Sequence, residues 1–237
     1  ALGSGLVDMY AKCGCLAKAQ QVHDELNVRS VISWSSLIAG YAQQGQGKEA
    51  LHCFLQMQYE GLSPNAVTFL CIISACSRSG QLEEAEMVFE MMSREYDFIP
   101  NLEHYVCMII TSGSAGNFDK AVAVIQSMPS RNHCVVWLAL LGACRKWGNI
   151  KLGGLAFDQA VQVDSSCAAS YILAANMFSD AGMQVDAERT EAMRIKQATA
   201  WKDLWDNASG DVCSISYEDI SKYFENKDID AKIERYY

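Results

Sequence analysis

The sequence has few prolines, no Cys-x-x-Cys pair, no long apolar run and a shortage of basic charge, and each deficit removes a class of protein. Three prolines stand against sixteen glycines and ten methionines in 237 residues, a balance that favours helices joined by tight turns over a sandwich of many short strands. The longest uncharged apolar run, Cys134 to Cys144, stops at Arg145 after eleven residues, whereas a membrane-spanning helix needs about 20. Lysine and arginine number 19 against 28 aspartates and glutamates, net −9, which counts against retention of nucleic acid by bulk electrostatics. Any RNA contact is then local. Ten cysteines are scattered through apolar stretches such as Cys71 to Cys76 and Val106 to Met108. They read as buried free thiols of a reducing compartment. The first residues, Ala-Leu-Gly-Ser-Gly-Leu, carry neither a charged leader nor a cleavage site, so a targeting segment is expected outside this stretch. What remains, 50% hydrophobic and 20% charged, is the composition of a folded protein of one or two domains.

What is present is internal repetition. Glycine closes a short apolar stretch at Gly14, Gly45, Gly80, Gly116, Gly148 and Gly182, at intervals of 31, 35, 36, 32 and 34 residues. Five residues after each comes a small residue: Ala19, Ala50, Ala85, Ala121, Gly153 and Ala187. Eleven before it, in every complete unit, comes an aromatic, Trp34, Phe69, Tyr105, Trp137 and Tyr171, each expected to be buried at an equivalent position. Three registered columns define a repeat.

Each unit reads as a helical hairpin, with an apolar-periodic first helix, a turn where glycine adopts positive φ cheaply, and a second helix. In the second helices the apolar spacing continues from the small residue, as in Ala50, Phe54, Met57 and Ala85, Phe89, Met92; these i, i+4, i+7 positions share one face. Pro64, Pro100 and Pro129 fall just after second helices end, where a helix cannot continue. A single hairpin cannot bury its own apolar face, so the units stack into an all-α solenoid. A short β-hairpin over Leu204 to Ser216, around Ser-Gly-Asp, and a terminal helix over Tyr217 to Tyr237 are expected at the carboxy end.

Two families have helical hairpins of about this length, the tetratricopeptide and pentatricopeptide repeats. Residues 31–65, VISWSSLIAGYAQQGQGKEALHCFLQMQYEGLSPN, closely resemble a 35-residue pentatricopeptide repeat in their apolar pair, aromatic, Leu-Ile, Gly-Tyr, Glu-Ala-Leu and terminal Pro-Asn. The neighbouring units, a truncated 1–30, a long 66–101 and a short 102–133, resemble the alternation of the plant PLS subclass. Residues 134–199 look like the paired, tetratricopeptide-like E-type motifs that follow the last repeat in that subclass, and 200–237 like a degenerate extension that lacks the usual Pro-Gly pair near Trp201. The resemblance implies a right-handed α-α superhelix.

It also implies organellar single-stranded RNA binding, one base per repeat, read by the residue after the first-helix aromatic and by the repeat's last residue. Those positions are Ser35 and Asn65 in the central repeat, a pair that in this family favours adenine, and Ser4 and Ser30 in the truncated one. Ile32 and Val67 would clamp the base by apolar contact. A hydroxyl and an amide can together present donor and acceptor to a splayed base; the structural alternative is that Ser35 and Asn65 face solvent or cap helices. Leu70 with Asn101 and Val106 with His133 offer an aliphatic side chain that cannot read a hydrogen-bonding edge. Leu138 and Ile172 take the same place in residues 134–199, and with Trp201 and Trp205 they are candidates for docking a protein partner.

Charge sharpens this division: residues 1–133 carry net −5, 134–199 net zero and 200–237 net −4. Many members of the subclass end in a zinc-dependent DYW deaminase, whose chemistry needs H-x-E with P-C-x-x-C. His23-Asp24-Glu25 supplies the first half and no C-x-x-C supplies the second, while His23 falls on the core column of Phe54 and Phe89. Neither catalysis, metal nor cofactor is expected. Two functions stay open. One is a site-recognition factor for C-to-U editing in mitochondria or chloroplasts that recruits a deaminase in trans. The other is a structural RNA- or protein-binding subunit of an organellar ribonucleoprotein such as the mitochondrial ribosome. The partners are RNA and proteins of such complexes, and no membrane.

Overall fold

In the computed structural model, the structure describes residues 2–208, with side chains through Thr199. Twelve α-helices account for the regular structure of the described residues, and none of them is long and apolar enough to cross a membrane. They pair as hairpins: α1 (Leu2–Lys12) with α2 (Leu16–Asp24), α3 (Val31–Gln43) with α4 (Gly47–Tyr59), and α5 (Ala66–Ser79) with α6 (Leu82–Arg94). The series continues with α7 (Leu102–Ser114) and α8 (Phe118–Ser127), α9 (Cys134–Trp147) and α10 (Ile150–Val163), and α11 (Ala168–Asp180) followed by α12 (Gln184–Ala208). One compact unit spans residues 1–191 and a second begins at Ala192.

The turn is the same at every hairpin. Gly14, Gly45, Gly80, Gly116, Gly148 and Gly182 all have φ between 68 and 76°, a left-handed conformation that a Cβ would oppose. In each, the amide of the following residue donates to a carbonyl five residues back, for example Gln81 N to Cys76 O and Asn149 N to Cys144 O, both 2.9 Å. This six-to-one bond satisfies a carbonyl that the helix end would otherwise leave orphaned.

Within the first unit, first helices stack on first helices, α1 on α3, α3 on α5, α5 on α7, α7 on α9 and α9 on α11. The second helices α2, α4, α6 and α10 each pack on their own first helix and on the next one. The small-residue column lies at this contact, with Ala19, Ala50, Ala85 and Ala121 fully buried. At Gly153 a Cβ would stand 2.2 Å from the Met177 sulfur.

At four of the five junctions the side chain four residues after the small one is set against the next repeat's aromatic. Phe54 meets Phe69 at 5.8 Å between ring centroids, Phe89 meets Tyr105 at 5.5 Å, and Phe157 meets Tyr171 at 5.5 Å, all edge to face. His23 meets Trp34 in the same way at 4.1 Å. Such ring pairs contribute about 0.5–1.5 kcal/mol beyond the area they bury.

Two expectations need correction. Trp34, Phe69, Tyr105 and Tyr171 are buried, but Trp137 is only half-buried. Its column partner is Ile125, with no ring to offer, and its indole nitrogen instead donates to the Arg131 carbonyl at 3.2 Å. The β-hairpin expected from Leu204 does not begin there, because α12 runs unbroken from Gln184 through Ala208. No glycine or proline falls in that stretch to stop a helix. The rest of the hairpin and the terminal helix lie outside the described residues.

The cysteines also divide more finely than expected. Cys53, Cys76 and Cys144 are buried, Cys71, Cys107, Cys134 and Cys167 half-buried, and all nine described cysteines are free. Burial pushes the Cys53 thiol up to about 12 and those of Cys76 and Cys144 up to about 11. Cys13 and Cys15 are exposed, because they flank the Gly14 turn.

Two glycines test the stacking of first helices. A Cβ on Gly113 of α7 would stand 2.5 Å from the Cβ of Ala143 on α9, an atom that cannot swing away, whereas a Cβ on Gly142 meets nothing within 4 Å. Gly113→Ala should therefore lower unfolding stability by about 1–3 kcal/mol through overpacking. Gly142→Ala should raise it by about 0.5–1 kcal/mol through lost chain entropy. Urea titration of both variants checks the pair, and equal shifts would refute this packing.

Candidate nucleic-acid interface

The residue that ends one repeat is the N-cap of the next first helix. Ser30 caps α3, Asn65 caps α5 and Asn101 caps α7, each with its side-chain oxygen accepting from the backbone amide three residues on. The third residue of each helix returns the bond: Ser33, Thr68 and His104 face the amides of Ser30, Asn65 and Asn101 at 3.0, 3.2 and 3.4 Å. A reciprocal box of this kind satisfies two orphan donors at once. At His133 and Cys167, the N-caps of α9 and α11, no side chain caps the helix.

At the central junction this capping box joins the two expected base-reading residues. Ser35 Oγ lies 2.8 Å from Thr68 Oγ1, which donates to Asn65 Oδ1 at 3.1 Å, while the Thr68 amide donates to the same oxygen at 2.9 Å. Ser35 on α3 and Asn65 ahead of α5 thus belong to one hydrogen-bonded group, with Thr68 between them. Ser35 is half-buried and Asn65 exposed. Thr68 is fully buried, and sequence reasoning passed it over. Its signal was the Asn-x-x-Thr spacing across the repeat boundary.

Ile32 and Val67, the second residues of α3 and α5, are 67% and 60% exposed. Two apolar side chains that stand in solvent at equivalent places on consecutive helices are available to hold a flat ligand. Ser4 and Ser30 approach more loosely, with their hydroxyls 3.4 Å apart. Elsewhere the arrangement lapses. Leu70 and Val106 are half-buried, and Asn101 Oδ1 lies 2.6 Å from His104 Nδ1, whose Nε2 turns to the Ala66 carbonyl at 3.1 Å. On the last two first helices Leu138 is half-buried and Ile172 exposed. Trp201 and Trp205 lie on the backbone of α12, and their side chains fall outside those described.

Part of the basic charge along these helices is matched within the protein. Lys12, Arg29, Arg94, Lys120 and Arg145 pair with Asp8, Glu60, Glu90, Glu86 and Asp180. Such exposed pairs are worth little in stability, but they leave less positive charge for phosphates. Arg29 also lies 6.0 Å over the Trp34 ring, whose indole nitrogen donates to Glu60 at 3.1 Å. The aromatic beside Ser35 is thereby held in place. Among the described residues no group of three or more His, Cys, Asp or Glu is placed to hold a metal ion, and His23 is in the core with Trp34.

Comparison with known proteins identifies the repeat. The PPR repeat family matches residues 29–78, and the PPR repeat matches 4–31, 67–96 and 103–133. The chain belongs to the pentatricopeptide repeat family. A chloroplastic pentatricopeptide repeat-containing protein of Arabidopsis thaliana is 34% identical over 95% of the chain, which spans 26% of that relative. A mitochondrial one is 36% identical over 80% of the chain, which spans 41% of it. Among solved structures, the pentatricopeptide repeat protein PPR10 in complex with an 18-nucleotide psaJ RNA element superposes with a TM-score of 0.67. It is 17% identical, over 84% of this chain and 30% of that one. The pentatricopeptide repeat domain of Arabidopsis protein-only RNase P 1, in complex with tRNA, superposes at 0.55 with 19% identity, over 66% of this chain and 86% of that one. These likenesses show the fold.

The first junction carries a pH dependence. Burial, then the Arg29 charge, lowers the His23 pKa below its ordinary 6.5, against the raising effects of Asp24 and Glu60; burial also lowers that of His104. A histidine held neutral in the fold contributes stability above about pH 6.5 that is lost as pH falls through the depressed value. His23→Phe puts there the residue type of Phe54 and Phe89. It should reduce the fall in urea midpoint between about pH 7.5 and 5.5; a fall identical to that of the unaltered protein would remove His23 from this account.

Proposed function

We propose that this chain is part of an organellar single-stranded RNA-binding protein, and that the whole protein is a site-recognition factor for C-to-U editing that recruits a deaminase in trans. One observation carries the RNA reading: Ser35 and Asn65 form one hydrogen-bonded group through Thr68, flanked by the exposed Ile32 and Val67. A base inserted between those two apolar side chains would meet a hydroxyl and an amide at its edge. Both structural neighbours are complexes with RNA, and the relatives carry chloroplastic and mitochondrial names, which supports the same direction. The editing reading rests on residues 31–65, 66–101 and 102–133 as standard, long and short repeats of the PLS subclass, with E-type motifs over 134–199.

A second reading, a structural subunit of an organellar ribonucleoprotein, draws on particular features. The net charge is −9, and Leu70, Val106, Leu138 and Ile172 offer no polar group where Ser35 does. Under either reading residues 134–237 dock a protein through the aliphatic face of Leu138 and Ile172 and through Trp201 and Trp205. Sequencing organellar transcripts from plants that lack the protein separates the two. Particular unedited cytidines would select the editing factor, and a general loss of organellar translation with editing intact would select the ribonucleoprotein subunit.

Base reading has its own test. In Asn65→Asp a carboxylate oxygen still accepts from the Thr68 amide and hydroxyl, so the helix cap survives. What disappears is the amide N–H pair, leaving only acceptors. Preference at that nucleotide should shift from adenine toward guanine, whose edge offers N–H donors, with discrimination of roughly 1–3 kcal/mol. Unchanged affinities for RNAs that differ at that nucleotide would end the assignment.

A further inference from the structure

We propose that Thr68 is a positioning residue for base choice: it fixes which of Ser35 and Asn65 donates and which accepts at the base. The proposal rests on the reading that this pair faces a base. Proton accounting leads to it. The Thr68 hydroxyl has one proton, donated to Asn65 Oδ1 at 3.1 Å, and two lone pairs. One lone pair accepts from the Asn65 amide at 3.2 Å. The 2.8 Å contact with Ser35 fixes no donor by itself; with the Thr68 proton on Asn65 Oδ1, the other lone pair faces Ser35 and Ser35 Oγ donates its own proton there. Ser35 then turns only lone pairs outward.

Asn65 is fixed in the complementary sense. Its Oδ1 accepts from both the amide and the hydroxyl of Thr68, at 2.9 and 3.1 Å, which uses both of its lone pairs. The amide cannot be flipped, because the backbone N–H of Thr68 can only donate and would then face an NH2 group. The Nδ2 protons are therefore what Asn65 has to offer a ligand. Ser35 as acceptor and Asn65 as donor match a base edge with an exocyclic amino group beside a bare ring nitrogen, as in adenine and, on a single ring, cytosine. Guanine and uracil present a carbonyl beside a ring N–H, the opposite polarity.

Neighbouring junctions lack this relay. Ser33 gives its proton to the Ser30 carbonyl at 2.9 Å, and Ser4 lies 3.4 Å from Ser30. His104 faces Asn101, but Leu70 stands where Ser35 would. Thr68 itself is buried, and its branched Cβ restricts χ1 and so where the hydroxyl oxygen lies.

The test is selection from a randomised single-stranded RNA pool by the full-length protein, comparing base frequencies nucleotide by nucleotide. The nucleotide whose preference changes in Asn65→Asp is the one this pair reads. There, Thr68→Val, which keeps the amide donor and loses the hydroxyl, should cut the preference for adenine over guanine and uracil by about fivefold or more, with other nucleotides unaffected. Thr68→Ser should restore it. Ser35→Ala should reproduce the effect of Thr68→Val at the same nucleotide, which covers the case in which the valine protein folds poorly. Undiminished adenine preference in folded Thr68→Val, or in Ser35→Ala, overturns the role of Thr68 and leaves RNA binding standing. No enriched base at any nucleotide with the unaltered protein overturns the RNA reading, and this inference with it.

Discussion

The contact on which the rest of the first unit depends is made between repeats: one side chain of a second helix set against one ring of the next first helix. Phe54 on Phe69, Phe89 on Tyr105 and Phe157 on Tyr171 repeat it at 5.5 to 5.8 Å. A hairpin closed by a glycine turn still exposes one apolar face, and these ring contacts are where successive faces meet. They also set the register of the following first helix, and with it the place of the residue after the aromatic. Ser35 reaches Thr68 because Trp34 and Phe69 are both seated in this way. The positions after the aromatics are thus set by core packing.

Much of that frame was legible in the sequence because it depends on columns of residue size and on glycine. All six turn glycines took the left-handed conformation, and the small column is buried where helices cross. Trp137 shows the limit of such reasoning. Its column predicts burial, but whether a ring is covered depends on what opposes it, and Ile125 lies on a different helix a dozen residues away. The extent of α12 was missed for another reason, since only a missing breaker, and no positive signal, carries a helix past residue 199.

The candidate interface was half legible. Ser35, Asn65, Ile32 and Val67 came from the resemblance, and geometry places the first two in one group. Thr68 escaped because it lies in the next repeat and because its buried hydroxyl acts on the pair and not toward solvent. The proposed contact with a base would use the same Asn65 side chain that caps α5, so the two readings of that residue do not compete. The oxygen holds the helix end and the nitrogen is left over. An asparagine suits both duties, since an aspartate caps equally well but has no N–H to offer.

Polarity in the first-helix layer then fades along the chain. Serines at positions 4 and 35 give way to Leu70, Val106, Leu138 and Ile172, and side-chain caps at Ser30, Asn65 and Asn101 give way to none at His133 and Cys167. Both changes occur at the same edge of the layer, where a cap and a code residue face each other across a junction. The code column turns aliphatic at Leu70, one repeat before the side-chain caps lapse at His133, while first helices go on stacking from α1 to α11.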